Sequence, residues 1–92
     1  MKQSAIRAMT ADDARQFLER RRGNWRGSLG GRVQHFFENL SLSGQIGARG
    51  GTLCDKNLHE YRRGDWGSIG RRRCQKCQDR YDLIVQRAES ND

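Results

Sequence analysis

Apolar residues are sparse in this chain, and three stretches place them at helical spacing. The first begins at Thr10-Ala11-Asp12-Asp13 and continues with Ala14, Phe17 and Leu18 as a narrow stripe. The Thr10 hydroxyl can cap a free amide, Asp13 can reach back three residues, and both carboxylates suit the positive end of a helix dipole. A helix to about Arg22 is predicted, with Gly23 placed to end it. Capping explains Asp12 and Asp13 more simply than a pair of catalytic carboxylates does. In the second stretch Val33, Phe36, Phe37 and Leu40 recur at helical spacing and predict a short helix over 31–40 whose face supplies most of the core. In the third, Tyr81, Ile84, Val85 and Ala88, with Asp79 and Asp82 near the start, predict a helix over 75–89.

The segments between are rich in turn residues. Gly23-Asn24-Trp25-Arg26-Gly27-Ser28-Leu29-Gly30-Gly31 is read as irregular, and 41–52, with four glycines, as a connector with room for a short strand over 45–48. Arg21-Arg22-Gly23-Asn24-Trp25 is echoed by Arg62-Arg63-Gly64-Asp65-Trp66, either by chance in an Arg- and Gly-rich chain or as a binding loop used twice.

With 92 residues and 34% hydrophobic content, the chain has too little apolar surface for a large core and needs a staple. Its three cysteines cannot all pair within one monomer, which favours a metal over a disulfide framework. Residues 1–13 lack the apolar core of a signal peptide, and no run is long enough to cross a bilayer, so a cytoplasmic protein with reduced thiols is expected.

The cysteines suggest how the staple is built. Cys54 and His59 are separated by four residues, Cys74 and Cys77 by two, and a longer loop joins the pairs. Two close pairs can wrap a tetrahedral zinc at about 2.0 to 2.3 Å, and Arg73 and Lys76 beside the second pair favour thiolates. Four ligands leave no open coordination position, so the expected zinc is structural. His35, off the apolar stripe, is the reserve ligand, otherwise a surface or hydrogen-bonded histidine. The competing readings are unconnected cysteines or a thiol redox pair, and the latter wants a scaffold this short chain does not supply.

A ligand pair at the first turn of a helix, preceded by a hairpin carrying Gly64-Asp65-Trp66-Gly67-Ser68, resembles the treble-clef zinc fingers, of which GATA-type fingers are one branch. The resemblance covers Leu53 to about Ala88; GATA-type fingers use four cysteines, whereas His59 and a wider first spacing stand here. The expected fold is a small α+β zinc-stabilised domain: two short N-terminal helices and a Gly-rich connector over 1–52, then a β-hairpin and C-terminal helix around one zinc over 53–92, packed as one unit. The alternative is a zinc ribbon, in which 81–85 would be a strand.

Eighteen Lys plus Arg against eleven Asp plus Glu give a net charge of +7, nearly all of the excess being Arg. Arginine binds phosphate or carboxylate in two places and stacks on flat rings, which points to nucleic acid or an acidic protein face. Arg62, Arg63, Arg71, Arg72 and Arg73 with Trp66 form one candidate surface, and Arg20, Arg21, Arg22, Trp25 and Arg26 a second. Basic side chains interleaved with an aromatic suit phosphate contact plus base stacking, although either tryptophan could instead belong to the core. The expected function is therefore nucleic-acid binding without catalysis, membrane contact or a small-molecule substrate. The alternative is a protein-interaction module or inhibitor docking on an acidic face of a polymerase or nuclease, favoured by the seven acidic residues after Gln45 that interrupt a phosphate track. A His-metal nuclease would need a catalytic histidine beside a second metal, and His35 lacks a recognisable motif for it.

Overall fold

The computed structural model describes residues 1–27, 33–39, 49–59 and 72–90. These form three helices, α1 (Gln3–Arg7), α2 (Ala11–Arg20) and α3 (Gln75–Ala88), and four short strands, β1 (Trp25–Gly27), β2 (Gln34–Phe36), β3 (Arg49–Gly51) and β4 (Asn57–His59). The strands pair as two antiparallel sheets, β1 with β2 and β3 with β4.

The capped helix forms where the residues ask for it. Thr10 Oγ1 accepts from the Asp13 amide at 3.0 Å, satisfying one of the free donors of the first turn. α2 ends two residues before the expected Arg22, and Gly23 takes the left-handed conformation (φ 82°) that turns the chain away. α2 buries Ala11, Ala14 and Phe17 toward α3, whose Ile84 is wholly buried. α1, a single turn the pattern did not announce, adds Ile6 to the same core.

The helix expected over 31–40 is a correction, because the described part of that segment is extended. β2 pairs Phe36 with Trp25, His35 with Arg26 and Gln34 with Gly27. Beyond β1 it meets two further segments: Gln34 exchanges backbone hydrogen bonds with Arg72 and Cys74 at 2.8 and 2.7 Å, and the Phe36 carbonyl accepts from the Leu53 amide at 3.0 Å. Residues 34–37 are all buried, including two polar ones, so this is a strand enclosed on every side and not one apolar helix face.

α3 spans most of the segment expected for it, and residues 81–85 are helical, which removes the zinc-ribbon alternative. The strand expected over 45–48 and the turn residues 64–68 lie outside the described residues; β3 begins at Arg49. One core cluster draws Ile6, Ala14, Phe17 and Phe36 together with Leu53, Cys54, Cys77 and Ile84. No helix among the described residues is long and apolar enough to cross a membrane.

Candidate metal centre

Three pieces of backbone converge on one point. The first is the turn between β3 and β4, where the Thr52 amide donates to the Lys56 carbonyl at 2.8 Å and Thr52 Oγ1 accepts from the Lys56 amide at 3.1 Å. Asp55 closes that turn at φ 65°, a conformation that aspartate tolerates better than most residues. The turn is also gripped from outside. Arg80 Nη1 donates to the Leu53 carbonyl and pairs with Asp55 at 2.8 Å, while the Met1 ammonium reaches the Leu53 carbonyl at 3.1 Å and Asp55 at 2.6 Å. The hydrogen bond from that ammonium, then the one from Arg80, hold the Asp55 carboxyl below its ordinary pKa. The result presents Cys54, 5% exposed, to the interior.

The second piece is the start of α3. Cys74 is its N-cap residue and Cys77 lies in its first turn. Burial works against a Cys74 thiolate, but the amides of Cys77 and Lys76 face its sulfur, without closing a formal cap hydrogen bond, and leave its pKa lowered. Cys77 is wholly buried, and desolvation pushes its thiol up to about 12 despite the Phe36 amide, so this sulfur needs a cation to hold its charge.

The third piece is β2, which supplies His35. Its Nδ1 lies 3.4 Å from Cys54 Sγ and 3.7 Å from Cys77 Sγ, and the residue is 5% exposed. Burial, then the Lys56 charge, lowers its pKa, which keeps the imidazole neutral and a ring lone pair free for a ligand.

The ligand atoms of His35, Cys54, Cys74 and Cys77 all lie within 4.8 Å of one another. A tetrahedral ion with metal–sulfur bonds of about 2.3 Å and metal–nitrogen bonds of about 2.0 Å requires ligand–ligand edges of about 3.5 to 3.8 Å. The two histidine–sulfur distances match those edges and the remaining pairs lie within 4.8 Å, so the arrangement is compatible with a four-ligand metal centre. The cysteines are those read from the sequence, but the histidine brought to them is the reserve one. His59 ends β4, its backbone opposite Arg49, and its side chain lies outside the described residues. The spacing rule missed His35 because it searches for partners a few residues apart, whereas β2 delivers this histidine from 19 residues before Cys54.

Of the expected basic surface, Arg62, Arg63, Trp66 and Arg71 lie outside the described residues. Arg20, Arg22, Arg72 and Arg73 are exposed, and Arg26 is half-buried in β1. Trp25 is half-buried, its ring 5.4 Å from Phe36 and 5.5 Å from Tyr81, so it is partly a core residue. The Arg73 guanidinium sits 4.4 Å from the Trp25 ring centroid. Arg21 is used internally, donating to the Glu38 and Phe17 carbonyls at 2.7 and 3.3 Å while lying 3.9 Å over the Phe17 ring. Burial is the main cause of its lowered pKa. Comparison with family models, with curated proteins and with solved structures finds no match.

Proposed function

We propose that this is a small zinc-stabilised nucleic-acid-binding protein without catalytic chemistry, working in a reducing, cytoplasmic setting. Zinc is the metal of choice for three thiolates and an imidazole in a tetrahedron, and four protein ligands leave no position for substrate or water. Its role is to lock the β3–β4 turn, β2 and the start of α3 together, as the treble-clef resemblance implies for the helix end of the site.

The observation that carries the binding reading is the place of Trp25. The Arg73 guanidinium lies over its ring, and Trp25 lines one cleft with Arg21 and Arg22 from the segment after α2, so arginines of both expected clusters stand near one aromatic side chain. Such a surface offers phosphate contacts, which make affinity fall steeply with salt, and a ring for stacking. The second reading, docking on an acidic protein face, draws on α3, where exposed Asp79 and Asp82 hydrogen-bond to Gln75 and Gln78 and interrupt the positive surface.

Native mass spectrometry with and without chelator, then binding to a mixed-sequence duplex and its separated strands at two salt concentrations, tests the proposal. One zinc with salt-sensitive binding to either form supports it. Zinc with no nucleic-acid binding transfers the function to a protein partner, and no zinc removes the structural premise.

A further inference from the structure

A cleft of about 390 Å³ opens between α2 and α3, and none of the four metal-ligating residues lines it. Buried Phe36 and the half-buried rings of Trp25 and Tyr81 line it, together with the exposed side chains of Arg15, Arg22 and Glu19 and half-buried Arg21. Arg15 is held there by its Nε bond to the Ala88 carbonyl at 3.0 Å, while Arg22 is exposed.

The volume is near the lower end of the roughly 300–1,000 Å³ usual for small-ligand sites, which suits one nucleotide and not a secondary-structure element. Flat rings in the lining select a flat ligand, and three guanidiniums, those of Arg15, Arg21 and Arg22, against the carboxylate of Glu19 select an anion, with Arg15 also paired to exposed Asp12 at 3.4 Å. A base inside a duplex is paired and stacked and cannot enter such a recess, whereas an unpaired base offers its face. We infer that the cleft receives one unpaired nucleotide of a single strand, its base against Trp25 and Tyr81 and an adjoining phosphate at Arg22 and Arg15. This rests on the nucleic-acid reading proposed above and adds to it a site and a strand preference.

The test is titration of the zinc-loaded full chain with oligo(dT), oligo(U) and a mixed-sequence duplex, each of about twelve nucleotides or base pairs and at one salt concentration. At least one of the two single strands is expected to bind about 10-fold tighter than the duplex, the scale of one base stacked on an aromatic ring. Tyr81→Leu should erase that preference and leave duplex binding unchanged. Ala88→Glu, which sets a carboxylate at the cleft, should also erase the preference and serves if the Tyr81 variant fails to hold zinc. Equal binding of duplex and strands, or a preference that survives both variants, overturns the cleft while the nucleic-acid reading stands. Failure of all three probes to bind overturns both and points to an acidic protein partner.

Discussion

The two ends of α3 are held by different physics. At its start, Cys74 and Cys77 face Cys54 and His35, and the packing there is of sulfur, imidazole and backbone amides. Toward its other end, Ile84 is wholly buried in a core with Ile6, Ala14 and Phe17, and arginines donate to backbone carbonyls across it: Arg15 of α2 to Ala88 at 3.0 Å, and Arg87 of α3 to Met9, between α1 and α2, at 2.9 Å. One end depends on what fills the cluster, the other only on apolar contact and hydrogen bonds. A chain of this size with 34% hydrophobic content has a small core, so the conditional end should decide whether the whole folds.

Removing the metal therefore has the largest expected effect. Structural zinc contributes an apparent binding free energy of about 10–16 kcal/mol in small zinc-finger peptides, comparable with the roughly 5–15 kcal/mol that stabilises an ordinary domain. Chelation should abolish the cooperative thermal transition seen by circular dichroism. His35→Ala and Cys77→Ser should each lose the zinc by mass, whereas His59→Ala should retain one equivalent. Zinc lost from the His59 variant and kept by the His35 variant would return the fourth ligand to His59.

At the other end Ile84→Ala should cost about 2–5 kcal/mol through lost burial and the cavity left behind. The two ends are separable if this variant melts lower yet carries one zinc at low temperature. Were zinc to dissociate before unfolding begins, the two ends would be one unit and the contrast between them would fail.

The same division marks what was legible in the sequence. α2 and α3 each bury one side, so an apolar stripe, a cap at Thr10 and the stop at Gly23 could be read directly. β2 could not, because Gln34, His35, Phe36 and Phe37 are buried together and leave no polar side to set a period. Phe36 and its neighbour Phe37, four and three residues before Leu40, satisfied a helical template that a short enclosed strand satisfies equally well. The glycines at 30 and 31 and the aromatic pair were the available signals for a strand. The centre divided likewise: Cys74 and Cys77 are neighbours in one helical turn, but the histidine beside them arrives through a strand pairing that spacing does not encode. Charge located the arginines without distinguishing Arg21, spent on carbonyls, from exposed Arg22.

Arg80 tests how far the metal end relies on support outside its ligands. Its side chain is 11% exposed, joins the Leu53 carbonyl to Asp55, and arises one helical turn beyond Cys77. Arg80→Met keeps the apolar stem while removing the guanidinium, and the Leu53 carbonyl retains its bond from the Met1 ammonium. A cost of about 1–3 kcal/mol is expected, read from chemical denaturation of the zinc-loaded protein. Competition with a colorimetric chelator should show weaker zinc retention than in Ile84→Ala at matched fractions folded. Equal retention would mean that the turn holds Cys54 without help.

The smallest effect expected is at Thr10, remote from both ends of α3 in its chemistry. Its hydroxyl accepts one amide, that of Asp13, and the residue is exposed, so Thr10→Ala removes a cap without opening a cavity. Loss of such a cap costs about 1 kcal/mol, a melting shift of about 4–8 °C in a domain this small. Thr10→Ser keeps the acceptor and should restore most of that stability. Zinc stoichiometry should be unchanged in both variants, because α2 reaches the metal end through the core that Ala14 and Phe17 share with Cys54 and Cys77. A Thr10→Ala protein that loses zinc at low temperature would show that the conditional end reaches across the core to the first helices.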